Sequence, residues 1–269
     1  MRLQILVATM HQTDFSKIEQ MNIHSDVIFA NQSDKTTVEE RRFDGHTAKM
    51  ITTSTKGVGI NRNIALLYAD ADICLLADDD VIYDEGLENK ILGEFEKHRD
   101  ADVMIFNLDS GTNIRKQRVN PKTKKCGPLA RMPYGGCRIA FRLSSVRKAN
   151  VWFTTLFGGG CLFPSGEDSM WLNDLRKKGL TFYVSKEMIG KVTFGESPWF
   201  TGRDEKYFFG RGAYYEAVHP RTAFLWMVYF AFRARENCEM RFKEKMNWMK
   251  RGRQGYTEME PFEAVRDTV

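Results

Sequence analysis

Residues Ile73-Cys74-Leu75-Leu76-Ala77-Asp78-Asp79-Asp80 carry an unbroken apolar run straight into three carboxylates. A short apolar run bounded by polar residues reads as a strand covered on both faces, the form that strands of parallel sheets take. In open α/β sheets ligands collect outside the carboxyl ends of the strands, which is where these acids would lie. Three adjacent carboxylates repel one another unless they are solvated or neutralised, and their oxygens suit Mg²⁺ or Mn²⁺. A second reading needs no metal: the acids could cap a helix that starts near Asp84-Glu85-Gly86.

Runs of the same type occupy residues 3–8, 26–30 and 48–53 upstream and 103–107 downstream, and helices are expected to fill the gaps between them. One helix covers 61–69, with Ile64, Leu67 and Tyr68 at helical spacing, and another covers about 84–97, with Leu87, Ile91 and Phe95 on one face. The fold class is therefore α/β, with a mostly parallel sheet flanked by helices. Residues 111–133 turn polar and basic and read as a long mobile loop. A strand is expected at 138–143. Gly158-Gly159-Gly160 then leads to Gly166-Glu167-Asp168 and a helix ending at Lys178-Gly179, followed by a strand at 181–184. From Arg203 onward the signals are helical, and residues 257–269 carry no periodic pattern and read as a loosely held tail.

At 269 residues, 42% hydrophobic and 28% charged, the chain can bury a large core and is not a disordered one. Cys74, Cys126, Cys137, Cys161 and Cys238 are scattered without a zinc-binding spacing, which points to reduced thiols in a cytoplasmic protein. No run reaches the roughly 18 to 20 apolar residues of a membrane span. The longest, AFLWMVYFAF at 223–232, suits a buried helix or one lying in a membrane interface. Between Arg233 and Arg253 eight Lys or Arg face three Glu, so this segment accounts for the whole formal charge of +5. A basic surface confined to one segment excludes a nucleic-acid-binding body.

Three blocks together resemble the family-2 glycosyltransferases. Lys56-Gly57-Val58-Gly59-Ile60-Asn61-Arg62-Asn63 is similar to the family's N-x-G-x-x-x-A-R-N segment. Leu75-Leu76-Ala77-Asp78-Asp79-Asp80 is similar to its D-x-D element, and Gly166-Glu167-Asp168-Ser169-Met170-Trp171-Leu172 to its E-D helix. The resemblance implies a GT-A fold over residues 1–202, with a donor half at 1–110 and an acceptor half at 111–202, followed by a helical extension at 203–256. It implies transfer of a sugar from a nucleotide-sugar donor, a UDP-sugar foremost, to a saccharide or lipid-linked saccharide in cell-surface polysaccharide synthesis. Asp78 and Asp80 would hold Mn²⁺ or Mg²⁺. Asp78, Asp79, Lys56, Gly57 and Arg62 would contact the donor. Asp168 would be the general base of an inverting displacement and Glu167 its companion. Trp171 could seat the acceptor sugar or belong to the core, and Arg62 could serve only to pair acids at the sheet edge.

Two departures stand out. Where the family has an aspartate at the end of the second strand, this chain reads Val27-Ile28-Phe29-Ala30-Asn31-Gln32-Ser33-Asp34, so base recognition passes to Asn31, Gln32 or Asp34. The late histidine of many relatives is missing from residues 191–197, where Glu196 is the candidate substitute, and His219 reads as structural. Rival readings are a GT-A-fold partner without activity and a nucleotidyltransferase. Cys238, Phe242, Met246 and Met249 form one helical stripe, which would face a membrane on the inner surface, a second copy of the chain, or the rest of the protein.

Overall fold

The computed structural model describes residues 1–109, 118–127, 130, 132, 134–193, 202–234 and 238–266. The chain forms two compact units. One comprises Met1–Lys56, Ile60–Phe153 and Asp168–Gly195; the other comprises Gly57–Gly59, Thr154–Glu167 and Glu196–Val269.

The first unit is built on a ten-stranded sheet. Its strands are β1 (Leu3–Met10), β2 (Asp26–Gln32), β3 (Thr37–Phe43), β4 (His46–Thr53), β5 (Ile73–Asp78), β6 (Val81–Tyr83), β7 (Val103–Asp109), β8 (Lys124–Lys125), β9 (Ile139–Arg142) and β10 (Phe182–Val192). The order is β3-β4-β2-β1-β5-β9-β7-β10-β6, with β8 paired to β10. β4, β2, β1 and β5 run parallel, as do β7 and β10, while β9 is antiparallel between β5 and β7. The strands expected at 3–8, 26–30, 48–53, 73–77 and 103–107 are all present. The expected strand at 181–184 extends to Val192.

Strand alternation splits the core into two layers. Leu3, Ile5 and Val7 join α1 (Lys17–Gln20) and α3 (Leu87–Lys97) on one face, through Ile18, Leu87, Ile91 and Phe95. Leu6, Leu76 and Ile105 join α2 (Val58–Tyr68), α4 (Leu143–Ala149) and α5 (Glu167–Lys177) on the other. Helices do not fill every gap. Between β2 and β4 the chain makes β3, an edge strand whose residues are nearly all exposed, antiparallel to β4. The face expected for α2 is also corrected: Leu67 and Tyr68 are exposed, and Asn61, Arg62, Ala65, Leu66 and Ala69 face inward. Alanines let this helix lie close to the sheet, and the resulting burial carries Arg62 toward the strand ends. Of the loop expected at 111–133, residues 111–117, 128, 129, 131 and 133 lie outside the described residues.

The second unit is helical. It holds α6 (Glu205–Val218), α7 (Ala223–Arg233), α8 (Phe242–Glu258) and α9 (Phe262–Arg266). α6 and α8 cross at glycines: a Cβ on Gly212 would run into the Met249 backbone, and one on Gly252 into the Phe209 backbone. Phe157 and Phe163, from the segment before α5, are fully buried here against Tyr256, with Phe163 also stacked on Phe209. Phe262 on α9 is buried between Phe209 and Trp248.

Candidate active site

Asp78 closes β5, paired with Ala8 of the neighbouring parallel strand β1. The next residue of β1, Thr9, donates its hydroxyl to the Asp79 carboxylate, and the Asn61 amide of α2 donates to the Thr9 carbonyl at 3.0 Å. Lys17 Nζ reaches the Asp79 carbonyl at 3.1 Å, and the Thr193 N–H and hydroxyl both donate to the Asp80 carbonyl, at 2.7 and 2.9 Å. The acidic turn is thus fixed through its backbone. It does not cap a helix: β6 follows at once, and α3 starts only after Gly86, a left-handed residue with no side-chain cap.

Burial pushes the Asp80 carboxyl up to about 6, and the neighbouring Asp78 and Asp79 carboxylates push it in the same direction. Among the described residues no three His, Cys, Asp or Glu side chains converge on a metal position. The donor set is nonetheless all oxygen and crowded with negative charge. That fits Mg²⁺ or Mn²⁺, which need only one or two protein carboxylates alongside phosphate oxygens.

Arg62 is buried, and its guanidinium ties the cluster to the start of α5. Nη2 donates to Asp78 Oδ1 at 3.0 Å and Nη1 donates to Asp168 Oδ1. The other Asp168 oxygen accepts the Gly136 N–H at 2.7 Å. A Cβ on Gly136 would lie 2.6 Å from Arg62 Nη2 and 3.0 Å from Asp168 Oδ1, so any side chain there must displace the guanidinium or the carboxylate. Cys137 follows it, buried, its thiol pushed well up by burial first and then by Asp78, Asp80 and Asp168. Gly136 and Thr9 escape a reading of side-chain chemistry, since one acts through a backbone N–H and the other by fixing an acid. The Gly135-Gly136 pair just before a strand is the signal that could have drawn notice.

Other sequence candidates have varied surroundings. Asn31 is wholly buried: its amide donates to the Gln12 carbonyl at 2.9 Å and to Thr52 Oγ1 at 3.1 Å, and its oxygen accepts the Gln12 N–H. It shapes the loop after β1 and presents no free edge. Asp34 is exposed beyond β2 and accepts the Ser33 hydroxyl, and Lys56 is exposed before α2. Gly57, with φ +109°, packs in the second unit against Cys161 and Gly160, and the Val58 N–H is taken by the Gly159 carbonyl at 2.9 Å. Glu167 accepts the Gly166 N–H in that unit. Trp171, open between an acceptor-facing and a core position in the sequence, lies in the core. It is 1% exposed, stacked on Phe153 at 4.5 Å and edge-on to Phe141, with its indole N–H on the Val151 carbonyl. Glu196 lies outside the described residues.

Residues 18–151, which include the acidic turn, Arg62 and Gly136, match the sequence signature of glycosyl transferase family 2. The chain belongs to that family. This glycosyltransferase matches no curated protein sequence. Its fold is similar to that of Staphylococcus aureus TarS: residues 1–349 of TarS in complex with UDP-GlcNAc superpose with a TM-score of 0.59 at 12% identity, covering 97% of this chain and 93% of that one. TarS 1–349 alone gives 0.56 at 12% identity with the same coverage, and its complex with UDP gives 0.54 at 14%, covering 96% and 72%. The sheet and its flanking helices are therefore those of a GT-A-like glycosyltransferase.

Proposed function

We propose that this glycosyltransferase moves a sugar from a nucleoside-diphosphate donor, a UDP-sugar, to a hydroxyl of a saccharide or lipid-linked saccharide by one inverting displacement. The observation that carries the reading is the buried Arg62 guanidinium, which holds the strand-end acid Asp78 and the helix-start acid Asp168 in one constellation. The first acid is suited to a donor and the second to an acceptor. UDP as the nucleotide is supported by the TarS complexes with UDP-GlcNAc and UDP.

In this reading Asp168 takes the proton of the acceptor hydroxyl. The freed oxygen bonds to the anomeric carbon from the face opposite the diphosphate, and the carbon–oxygen bond to phosphate breaks with its electron pair leaving on the diphosphate. Arg62 and the Gly136 N–H are positioning groups that set the direction of the carboxylate. On the donor side Asp78 and Asp79 face the ribose and diphosphate with Lys56, while Asp34 and the Gln12 loop shaped by Asn31 lie toward the base. Asp78 and Asp80 would hold a divalent ion, which would supply Lewis-acid neutralisation of the diphosphate.

The test is a thermal-shift panel of UDP, GDP, CMP and TDP with and without Mn²⁺, alongside Asp168→Asn. A ligand present at about 100 times its Kd adds roughly 2.7 kcal/mol to the folded state. UDP with Mn²⁺ is expected to stabilise the chain. Asp168→Asn should retain that shift while losing roughly 10²- to 10⁴-fold in transfer. A chain that responds to no nucleotide, or a variant that transfers at the wild-type rate, overturns the reading.

A further inference from the structure

The Met246 and Met249 stripe of α8 is buried, so the apolar surface that the C-terminal sequence advertises must be found elsewhere. It is on α7. One side of this helix, through Ala223, Met227 and Ala231, is buried in the second unit. The opposite side carries Phe224, Leu225, Tyr229 and Phe232, all exposed, with Leu225 at 67% and Phe232 at 53%. A helix that is apolar all round is normally covered all round. Phe242, itself exposed at the start of α8, tilts against Phe232 at 4.7 Å and widens the patch. A contiguous aromatic surface of this kind marks an interaction site.

The charges around the patch say what covers it. Arg221 and Arg233 stand exposed at the two ends of α7, and Arg233 is held over the Tyr229 ring with Nη1 3.3 Å from its hydroxyl. Lys250 and Arg253 line a hollow next to Phe224, with Glu258 its one acid. The helix itself contains no acidic residue. A second copy meeting this face about a two-fold axis would set arginines against arginines across the contact, with no acid on the helix to pair them. An anionic lipid surface would neutralise them and take up the aromatic side chains at headgroup depth. At 11 residues the helix is about 16 Å long, too short to span a bilayer but suited to lying on one. We propose that the outer face of α7 docks the protein on an anionic membrane surface, independently of the donor and acceptor chemistry proposed above.

Flotation of the full chain with vesicles tests this, comparing phosphatidylcholine alone with phosphatidylcholine containing about one-third phosphatidylglycerol. Wild type is expected to float with the anionic vesicles, less so as salt rises, and poorly with the neutral ones. Arg221→Glu with Arg233→Glu should weaken binding, with roughly fivefold for each arginine removed. Leu225→Ser with Phe232→Ser should abolish flotation while the melting temperature, which reads the fold, stays put. Equal flotation on both vesicle types, no binding by wild type, or unchanged binding by both variants overturns the proposal. So does a wild-type dimer in sedimentation that Leu225→Ser with Phe232→Ser splits, since the face then belongs to a second copy.

Discussion

A methyl group at position 136 would press on a guanidinium that two carboxylates already hold, so Gly136→Ala is a probe of alignment more than of stability. Arg62 is buried and cannot swing aside into water; relieving a contact of 2.6 Å must turn it or Asp168. Misplacing a catalytic group by about 1 Å costs roughly 100-fold in rate. Gly136→Ala is expected to lose transfer on that scale while its melting temperature falls by only a few degrees; wild-type turnover would show that the Arg62–Asp168 geometry does not matter. Asp80 makes a prediction of a different kind. Its carboxyl lies near 6 in the fold against an ordinary 3.8, raised first by burial and then by Asp78 and Asp79. The folded state therefore binds the proton more tightly than the unfolded chain does, so this residue's charge destabilises the fold progressively as pH rises from about 4 to about 6, and to a constant extent above that. In the presence of EDTA, Asp80→Asn should match wild type in melting temperature near pH 4 and exceed it above pH 6. A difference that is flat across this range counts against burial and crowded charge as the source of the shift.

Among the elements, the α6–α8 crossing is the most exacting. Gly212 and Gly252 let the two helix backbones touch, and either Cβ would fall on the partner's main chain rather than on a side chain that could move. Gly252→Ala is expected to cost about 1–3 kcal/mol, the usual scale of overpacking, read as a lower denaturation midpoint. A neutral or stabilising result would mean that the helices can part without loss. The same contrast between side chain and backbone separates what could be read from the sequence from what could not. The central strands are legible because burial on both faces makes them plain apolar runs. β3, Thr-Val-Glu-Glu-Arg-Arg-Phe, is not, because an edge strand open to water needs no apolar face. On α2 the hydrophobic pattern is right only for Ile64, which packs on the core: Leu67 and Tyr68 face outward, while Ala65, Leu66 and Arg62 are buried. Asp78, Asp80, Arg62 and Asp168 are legible as charges at the ends of elements, where the fold gathers them. Gly136 is silent, since what it contributes is an N–H and the lack of a side chain. Trp171 stays ambiguous because an indole beside a carboxylate looks alike whether it faces a sugar or a core.

At the scale of the whole chain, the sequence suggests a boundary near residue 202, with a catalytic body before it and helices after it. The compact units do not follow that line. The chain passes from one unit to the other after residues 56, 59, 153, 167 and 195, so neither unit is a continuous segment. Residues 154–167, which lead directly into Asp168, find their packing in helices from beyond 202. Phe157 rests on Tyr256, Phe163 on Phe209 and Tyr256, and Gly210 admits the Pro164 ring where a Cβ would stand 2.6 Å from it. Ending the chain at 202 would return both phenylalanines to water, at about 1.5–3 kcal/mol each. That is a large part of the roughly 5–15 kcal/mol by which folded chains are usually stable. It would also leave residues 154–167 without the packing of their own unit. The shortened chain is therefore expected to aggregate or to melt without a cooperative transition, and to lose transfer along with its fold. Circular dichroism melts and a donor-turnover assay on the 1–202 chain decide the matter. A cooperative melt at the wild-type temperature would show that residues 154–167 do not depend on α6–α9 for their packing, and that Phe157 and Phe163 find other cover when those helices are gone.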